Sequence, residues 1–404
     1  MIQQLIHRFL KRRHFWRYAT FGEIAELYAS RMMTMFAMKF VMAFASVYLY
    51  KLGYEIAVIA LFWALYYGVK TLDVPIVALI LARIGPKHGV FIANILFAVG
   101  LCFLFLAEYY GVSMVFAWCI IHGFAATLNN VCYMTDFSKV KHANHAGKEL
   151  VFMNIVERVA AGISPLVCGI IASLFGPSWA ILLAVALFVF AAVPLFRTAE
   201  VVKLNQKLTL RRYPWRATWR SMRANGALGV DVVASNMGWV MFMSVAIFAS
   251  DGNELYAKIG ALTSISLVVG LASSYVFGRL VDNKQGLLLL RSSAVVNSLV
   301  HLLRPTISTP TGIILTNSVN EVAFTGYSLA FTRGEFDLAD TPGYRIVYLS
   351  VMEVAGNAGA TIAALSIAAF VSAYGNLGGF SVFYVFVAFV TLLIAAPRFP
   401  LYKR

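Results

Sequence analysis

Residues 149–157 read ELVFMNIVE, and residues 345–353 read RIVYLSVME. The two stretches align without a gap, 196 residues apart (345 less 149), and each ends on a glutamate, Glu157 and Glu353. The same shift brings Arg83 onto Arg279, Ala98-Val99 onto Ala294-Val295, Gly147 onto Gly343 and Ile171-Ala172 onto Ile367-Ala368. The chain therefore reads as a duplication. Its repeated unit carries an acid inside an apolar run.

Around these stretches one pattern recurs: an apolar run, then a short polar break. Each run reaches about 20 residues, the length a helix needs to cross about 30 Å of hydrocarbon. Spans are expected near 23–50, 55–83, 88–107, 112–135, 148–175 and 178–197, then near 226–250, 256–280, 287–304, 311–332, 345–372 and 378–397. Gly176-Pro177, Pro305, Pro310 and Pro342 punctuate the breaks. The 404 residues are 60% hydrophobic and 13% charged, against about 25% charged in soluble domains. Lipid tolerates no unsatisfied backbone, which selects helices, and the short alternating segments of a β-barrel do not occur. The expected fold is all-α and integral to the membrane, with twelve transmembrane helices. A shift of 196 residues covers six of them, an even number. The halves then share one orientation and form parallel repeats about an axis normal to the bilayer.

The net charge is +15, which in a soluble protein would suggest nucleic acid. Here the charge has a side. With the N-terminus in the cytoplasm, 25 of the 33 basic residues fall in cytoplasmic segments, and the outer loops hold Lys51, Lys258 and Arg304. Arg31, Lys39, Lys70, Arg158 and Arg291 lie within spans. This is the positive-inside pattern. It excludes a nucleic-acid partner and places both termini in the cytoplasm, in a multi-pass plasma (inner) membrane protein. Cys102, Cys119, Cys132 and Cys168 all sit in apolar runs without metal-ligand spacing and read as small buried hydrophobes.

Five segments follow. Residues 1–22 form a basic amphipathic segment, with Arg8, Lys11, Arg12, Arg13 and Arg17 among Phe9, Phe15 and Trp16, and no cleavable signal. Residues 23–197 and 226–397 are the two halves. Residues 198–225 are a linker in which Pro214 starts a helix, and Trp215, Trp219 and Met222 share one face at i, i+4 and i+7 beside Arg211, Arg212, Arg216, Arg220 and Arg223. That helix is expected to lie on the inner leaflet. Residues 398–404 are a cytoplasmic tail.

Six spans plus six, a basic central loop and cytoplasmic ends resemble the major facilitator superfamily over nearly the whole chain. Between its second and third spans that family carries Gly-x-x-x-Asp-Arg-x-Gly-Arg-Lys. Here the segment runs from Ala78 to Lys87: Arg83, Gly85 and Lys87 match, while Ala78, Ala82 and Pro86 stand for the Gly, the Asp and the first basic residue of the pair. The repeated copy keeps Arg279. The resemblance implies two pseudo-symmetric six-helix bundles around a cavity that opens alternately to each side. It also implies that the first, fourth, seventh and tenth spans line that cavity, and that the loop latches one state through Arg83, Lys87 and Arg279.

A charge at mid-membrane costs at least about 2.5–3.5 kcal/mol on insertion scales, so it faces a partner or a wet cavity. Lys39 in the first span reads either as a cavity cation for an anionic group or as half of an ion pair. Glu157 is expected to pair with Arg31, at nearly the same depth. Glu353 has no such arginine in the seventh span, where Asn236 sits, and is the better proton carrier. Lys70 and Asp73, at i and i+3, are expected to neutralise each other, or else to form a latch across to the eleventh span. His122, Asn236, Asn320 and Glu321 complete the expected substrate and ion set, with His122 also readable as a satisfied core histidine. His301 and Arg304 are expected at the outer interface. Ala160-Ala161-Gly162 and Gly356-Asn357-Ala358-Gly359 allow close helix contact.

No Walker-type loop, HExxH or GxSxG occurs in the sequence, so neither ATP drive nor hydrolase chemistry is expected. No cofactor and no metal is called for. The reading is a monomeric secondary transporter, not an enzyme, that moves a small solute by alternating access with a coupling ion, most simply the proton. A lipid or lysolipid flippase of the same fold and a non-transporting scaffold or sensor are the alternatives.

Overall fold

A glycine followed by a proline twice marks where one helix stops and the next begins. Gly85 and Gly176 have φ of 85° and 95°, the left-handed backbone that ends a helix without a Cβ clash. Pro86 and Pro177 then open the next helix, at a position whose N–H would have no partner anyway. In the computed structural model, which describes residues 21–42, 44–140, 146–196, 213–248, 254–282, 285–339, 345–397 and 399–402, the chain is a succession of helices with no strand among those residues.

In chain order the helices are α1 Phe21–Met42, α2 Ala45–Lys51, α3 Ile56–Ile84, α4 Pro86–Tyr110, α5 Val112–Val140, α6 Ala146–Phe175 and α7 Pro177–Ala192. After the linker come α8 Trp215–Val233, α9 Trp239–Ala246, α10 Glu254–Asp282, α11 Gly286–Leu303, α12 Pro310–Ala339 and α13 Arg345–Thr391. Among the described residues eight segments are long and apolar enough to cross a membrane, and Val159–Phe175 and Pro177–Ala192 are shorter apolar helices. One of the eight, Val347–Ala395, covers two expected spans, and Gly375 (φ 73°, ψ 175°) breaks α13 between them. The polar helix α12 is not among the eight. It carries Asn317, Asn320, Glu321, Arg333, Glu335 and Asp337.

The expected segments 1–22 and 198–225 lie mostly outside the described residues. Where the linker is described, it differs from expectation. Pro214 does precede a helix, but α8 runs through residue 225 without a break. A five-residue π segment, Ala234–Gly238, then joins it to α9. The expected interfacial helix and the seventh span are thus one rod, Trp215–Ala246. Its first turns carry Trp215 and Trp219 exposed, and Arg223 lies over the Trp219 ring at 5.7 Å. The chain end also differs from a free tail. Phe399 and Tyr402 are buried, and the Tyr402 hydroxyl donates to the Ala330 carbonyl at 2.8 Å.

The helices before residue 197 pack mainly among themselves: α4 with α5 and α7, α3 with α5, and α1 with α6 and α7. Those after residue 213 do likewise: α8 with α13, α10 with α12, and α11 with α12 and α13. Two seams join the groups, α6 against α10 and α3 against α13. Small residues make the first seam close. A Cβ on Gly169 would meet the Tyr256 carbonyl at 2.6 Å, and one on Gly260 would strike that of Pro165. Leu72, Leu174, Leu288 and Phe389 face outward. Such a surface would drive association in water and suits contact with lipid.

Candidate functional site

Glu353 lies on α13, where that helix crosses α3. Its Oε2 accepts from Asn130 Nδ2 on α5 at 2.6 Å, and its Oε1 accepts from Asn357 Nδ2 at 2.9 Å, one turn along α13. Lys70 Nζ on α3 is 3.8 Å from the same Oε1. The lysine also sits over the rings of Tyr66 and Tyr67, at 5.9 and 5.3 Å. A carboxylate from one half is therefore held by an amide and an ammonium of the other. Lys70 does not pair with Asp73. The i, i+3 spacing allowed that pair, but two tyrosine rings and a carboxylate across the seam offer the ammonium a drier, better-satisfied place.

Beside Glu353 opens a cavity of about 180 Å³ lined by residues of α5, α8, α12 and α13. Its polar lining is Asn130, Asn225, Ser328, Thr332, Glu335 and Glu353, and its apolar walls include Met134, Leu228 and Phe331. Asn225 and Glu335 were not singled out from the sequence. Glu335 was there to be found, as an acid near the end of the tenth apolar run. Asn225 was placed in the linker because no break separates it from the basic turns before it.

The first half holds its own buried pair. Arg31 Nε on α1 is 2.7 Å from Glu157 Oε1 on α6, as the matched depths predicted. Arg31 Nη1 donates to Asn129 Oδ1 on α5 at 2.9 Å, and the guanidinium lies 4.0 Å over the Tyr133 ring. Thr34, one turn further along α1, donates to Asn94 on α4 at 2.9 Å. The side chain of Arg158 lies outside the described residues.

The second half holds a cluster that the sequence reading missed. Asp231 on α8 is fully buried. Its Oδ1 is 2.6 Å from His301 Nε2 and 2.8 Å from Asn297 Nδ2, both on α11, and its Oδ2 accepts from the Tyr327 hydroxyl on α12. His301 Nδ1 in turn lies 3.2 Å from Arg304 Nη1. A neutral imidazole with its proton on Nε2 satisfies both neighbours, donating to Asp231 and accepting from Arg304. Arg304 stacks over Trp239 and Tyr384 and also donates to the Ala234 carbonyl, which the π segment presents. His301 and Arg304 are therefore core groups, not interfacial ones, and both are fully buried. Asn297, His301 and Arg304 recur at i, i+4 and i+7. That spacing defines one polar face, a signal that an acid had to lie opposite it.

Of the six expected substrate and ion residues, only Glu353 lines the cavity. His122 is buried among Tyr66, Phe97, Trp118 and Phe188, with the Tyr66 hydroxyl 3.4 Å from its Nδ1. Asn320 donates to Asn297 at 2.5 Å and so belongs to the Asp231 cluster. Asn236 is exposed and bonds its own helix at the Val232 carbonyl. Lys39 on α1 and Glu321 on α12 are partly buried, and neither lines the cavity. Of the loop charges, Arg83 is exposed, Lys87 is buried at the start of α4, and Arg279 covers the Tyr275 ring at 4.5 Å.

A multi-pass helical membrane protein with two ion-paired halves meeting around a polar cavity has the build of a membrane transporter. Residues 27–332 match the Major Facilitator Superfamily, and the chain belongs to that family of transporters. A solved structure of a mutant of the nucleoside transporter NupG has the same fold, with a TM-score of 0.68. That match covers 92% of this chain and 97% of the other, at 15% sequence identity. No curated protein matches the sequence.

Proposed function

We propose that the chain is a monomeric, proton-coupled secondary transporter of the plasma (inner) membrane that moves a small solute by alternating access. In this reading α12 and both parts of α13 are spans. The count is then twelve, as two six-helix bundles with both termini in the cytoplasm. Bundle one is 23–197 and bundle two is 226–397, the latter extended back along α8. At 15% identity the nucleoside transporter's cargo does not carry over to this chain.

One observation carries the proposal: the Glu353–Lys70–Asn130 contact bridges the halves at the edge of the cavity. Rocking one bundle against the other must break it. Protonating Glu353 removes the charge that holds Lys70, so taking up a proton loosens this seam. The coupling ion and the moving part are then the same contact. Arg31–Glu157, buried within one half, holds that bundle together.

The test is uptake into proteoliposomes with and without an imposed pH gradient, for the native protein and Glu353→Gln. The expected result is that the variant loses gradient-driven accumulation but still exchanges solute across the bilayer. Uphill accumulation by a stably produced variant would remove Glu353 from the coupling role. Movement of lipid without solute would support the flippase reading instead.

A further inference from the structure

The cavity's hydrogen-bond capacity is lopsided. Asn130 gives one amide N–H to Glu353, and Asn225 gives one to the Met352 carbonyl at 2.5 Å. The carbonyl oxygens of both amides remain for whatever enters. Both Glu353 oxygens are already engaged by Asn130, Asn357 and Lys70. Glu335 is not. Among the described residues it has no ion-pair or hydrogen-bond partner, although it lines the cavity. Lys70, whose ammonium faces Glu353, is not part of the lining. The wall thus keeps free acceptor oxygens and one acid more than Lys70 can neutralise, with no basic side chain in the lining. The apolar patch of Met134, Leu228 and Phe331 sits beside it.

A carboxylate in a partly enclosed, low-dielectric site attracts a cation far more strongly than it would in water, and repels an anion as strongly. A neutral solute would have to supply donors to Glu335 without cancelling its charge. An anionic solute would meet two acids and no basic side chain on this wall. We infer that this cavity binds the ammonium or guanidinium end of an organic cation, with Glu335 on α12 as its counter-ion and the apolar wall against its body. The inference rests on the transport reading only for what happens next. Binding itself does not need the halves to move. It also separates two acids a few residues from one another in space: Glu353 serves the seam, and Glu335 serves the cargo.

Phenylguanidinium, phenylurea and phenylacetate make a suitable trio of probes, since the first two share a shape and differ in charge. The measurement is thermal stabilisation of the purified full chain in detergent against probe concentration. Phenylguanidinium is expected to stabilise the native protein at concentrations about tenfold below phenylurea, with phenylacetate weakest. Glu335→Gln is expected to bind the first two alike. Thr332→Lys places an ammonium one turn from Glu335 on the same wall, and is expected to abolish the preference even if the glutamine variant proves poorly folded. Equal effects of the three probes on the native protein, including no effect from any, overturn the inference. So does a preference that survives in both variants. Counterflow of labelled phenylguanidinium in proteoliposomes separates this from the transport reading. Preferred binding without exchange above protein-free vesicles supports the site and overturns transport. Exchange of phenylurea as fast as phenylguanidinium overturns the site and leaves transport standing.

Discussion

Glu157 and Glu353 occupy one register in the two repeats, yet their surroundings divide them. Arg31 pairs with Glu157, and the residue 196 positions beyond Arg31 is Ala227, which is buried and carries no charge. Glu353 is therefore left without a charged partner in its own half and reaches across to Lys70. The second half buries a different set, in which Asp231 and Arg304 are linked through His301. Removing one member of a buried charged set leaves the other uncompensated, which costs about 3–5 kcal/mol. Asp231→Asn should accordingly lower the thermal unfolding midpoint in detergent. Adding Arg304→Gln should recover part of the loss, a coupling of about 0.5–3 kcal/mol in a double-mutant cycle. Strictly additive losses would show that the two charges do not sense each other. The Arg31–Glu157 pair was legible in the sequence because both residues stand at one depth on neighbouring spans. The Asp231 cluster was legible only in half, as the polar face of α11. Its acid lies 66 residues away in sequence from Asn297.

At the scale of elements, glycines decide which helices approach closely. A Cβ on Gly229 of α8 would run into the Gly356 carbonyl of α13, and one on Gly359 would run into Gly226. These neighbours are backbone and cannot swing aside. Gly229→Ala should therefore destabilise by about 1–3 kcal/mol. Gly68, in the middle of α3, has nothing within 4 Å of its would-be Cβ. Gly68→Ala should be neutral or stabilising by up to about 1 kcal/mol, the helix-propensity gain of alanine. Thermal unfolding of the two variants side by side is the check, and equal losses at both would refute the packing account. The small-residue string 356–359 was visible in the sequence as a close-contact stretch. Which helix it receives was not, because Gly226 and Gly229 stand in the expected seventh span with nothing in their spacing to say which neighbour they face. Helix ends told a similar story. Gly85, Gly176 and Gly375 could be read as breaks, whereas the join between α8 and α9 is a π segment with no compositional mark.

At the scale of the molecule, one end is shut and the other holds the cavity. At the shut end Phe44 of one half meets Tyr256 of the other edge-on at 5.7 Å, and Lys51 Nζ lies 5.0 Å over the same ring. Gly169 and Gly260 let α6 and α10 touch nearby. If the halves rock as proposed, wedging this end apart closes the cavity at the other. Gly260→Leu supplies the wedge. A cysteine placed at Thr332 in that background should react with a membrane-impermeant maleimide about tenfold more slowly than in the native background, for a shift of about 1.4 kcal/mol in the equilibrium. An unchanged rate in a folded variant would mean that the two seams move independently. Tyr256→Ala removes the ring that Phe44 and Lys51 meet, and is expected to loosen this end in the same sense and to raise solute leak in the same vesicles.

The sequence alone determined the membrane class and the family. Each of these depends on composition and periodicity, and the hydrocarbon enforces both on every span separately. Only the tertiary structure decided that Lys70 faces Glu353 and not Asp73, that His122 is core, that His301 and Arg304 are buried with Asp231, and that Glu335, unpaired among the described residues, lines a cavity. Those facts depend on how helices far apart in the chain rotate about their own axes when they pack. Rotation is set by the fit of many small apolar contacts between helices, and no single span carries a record of it.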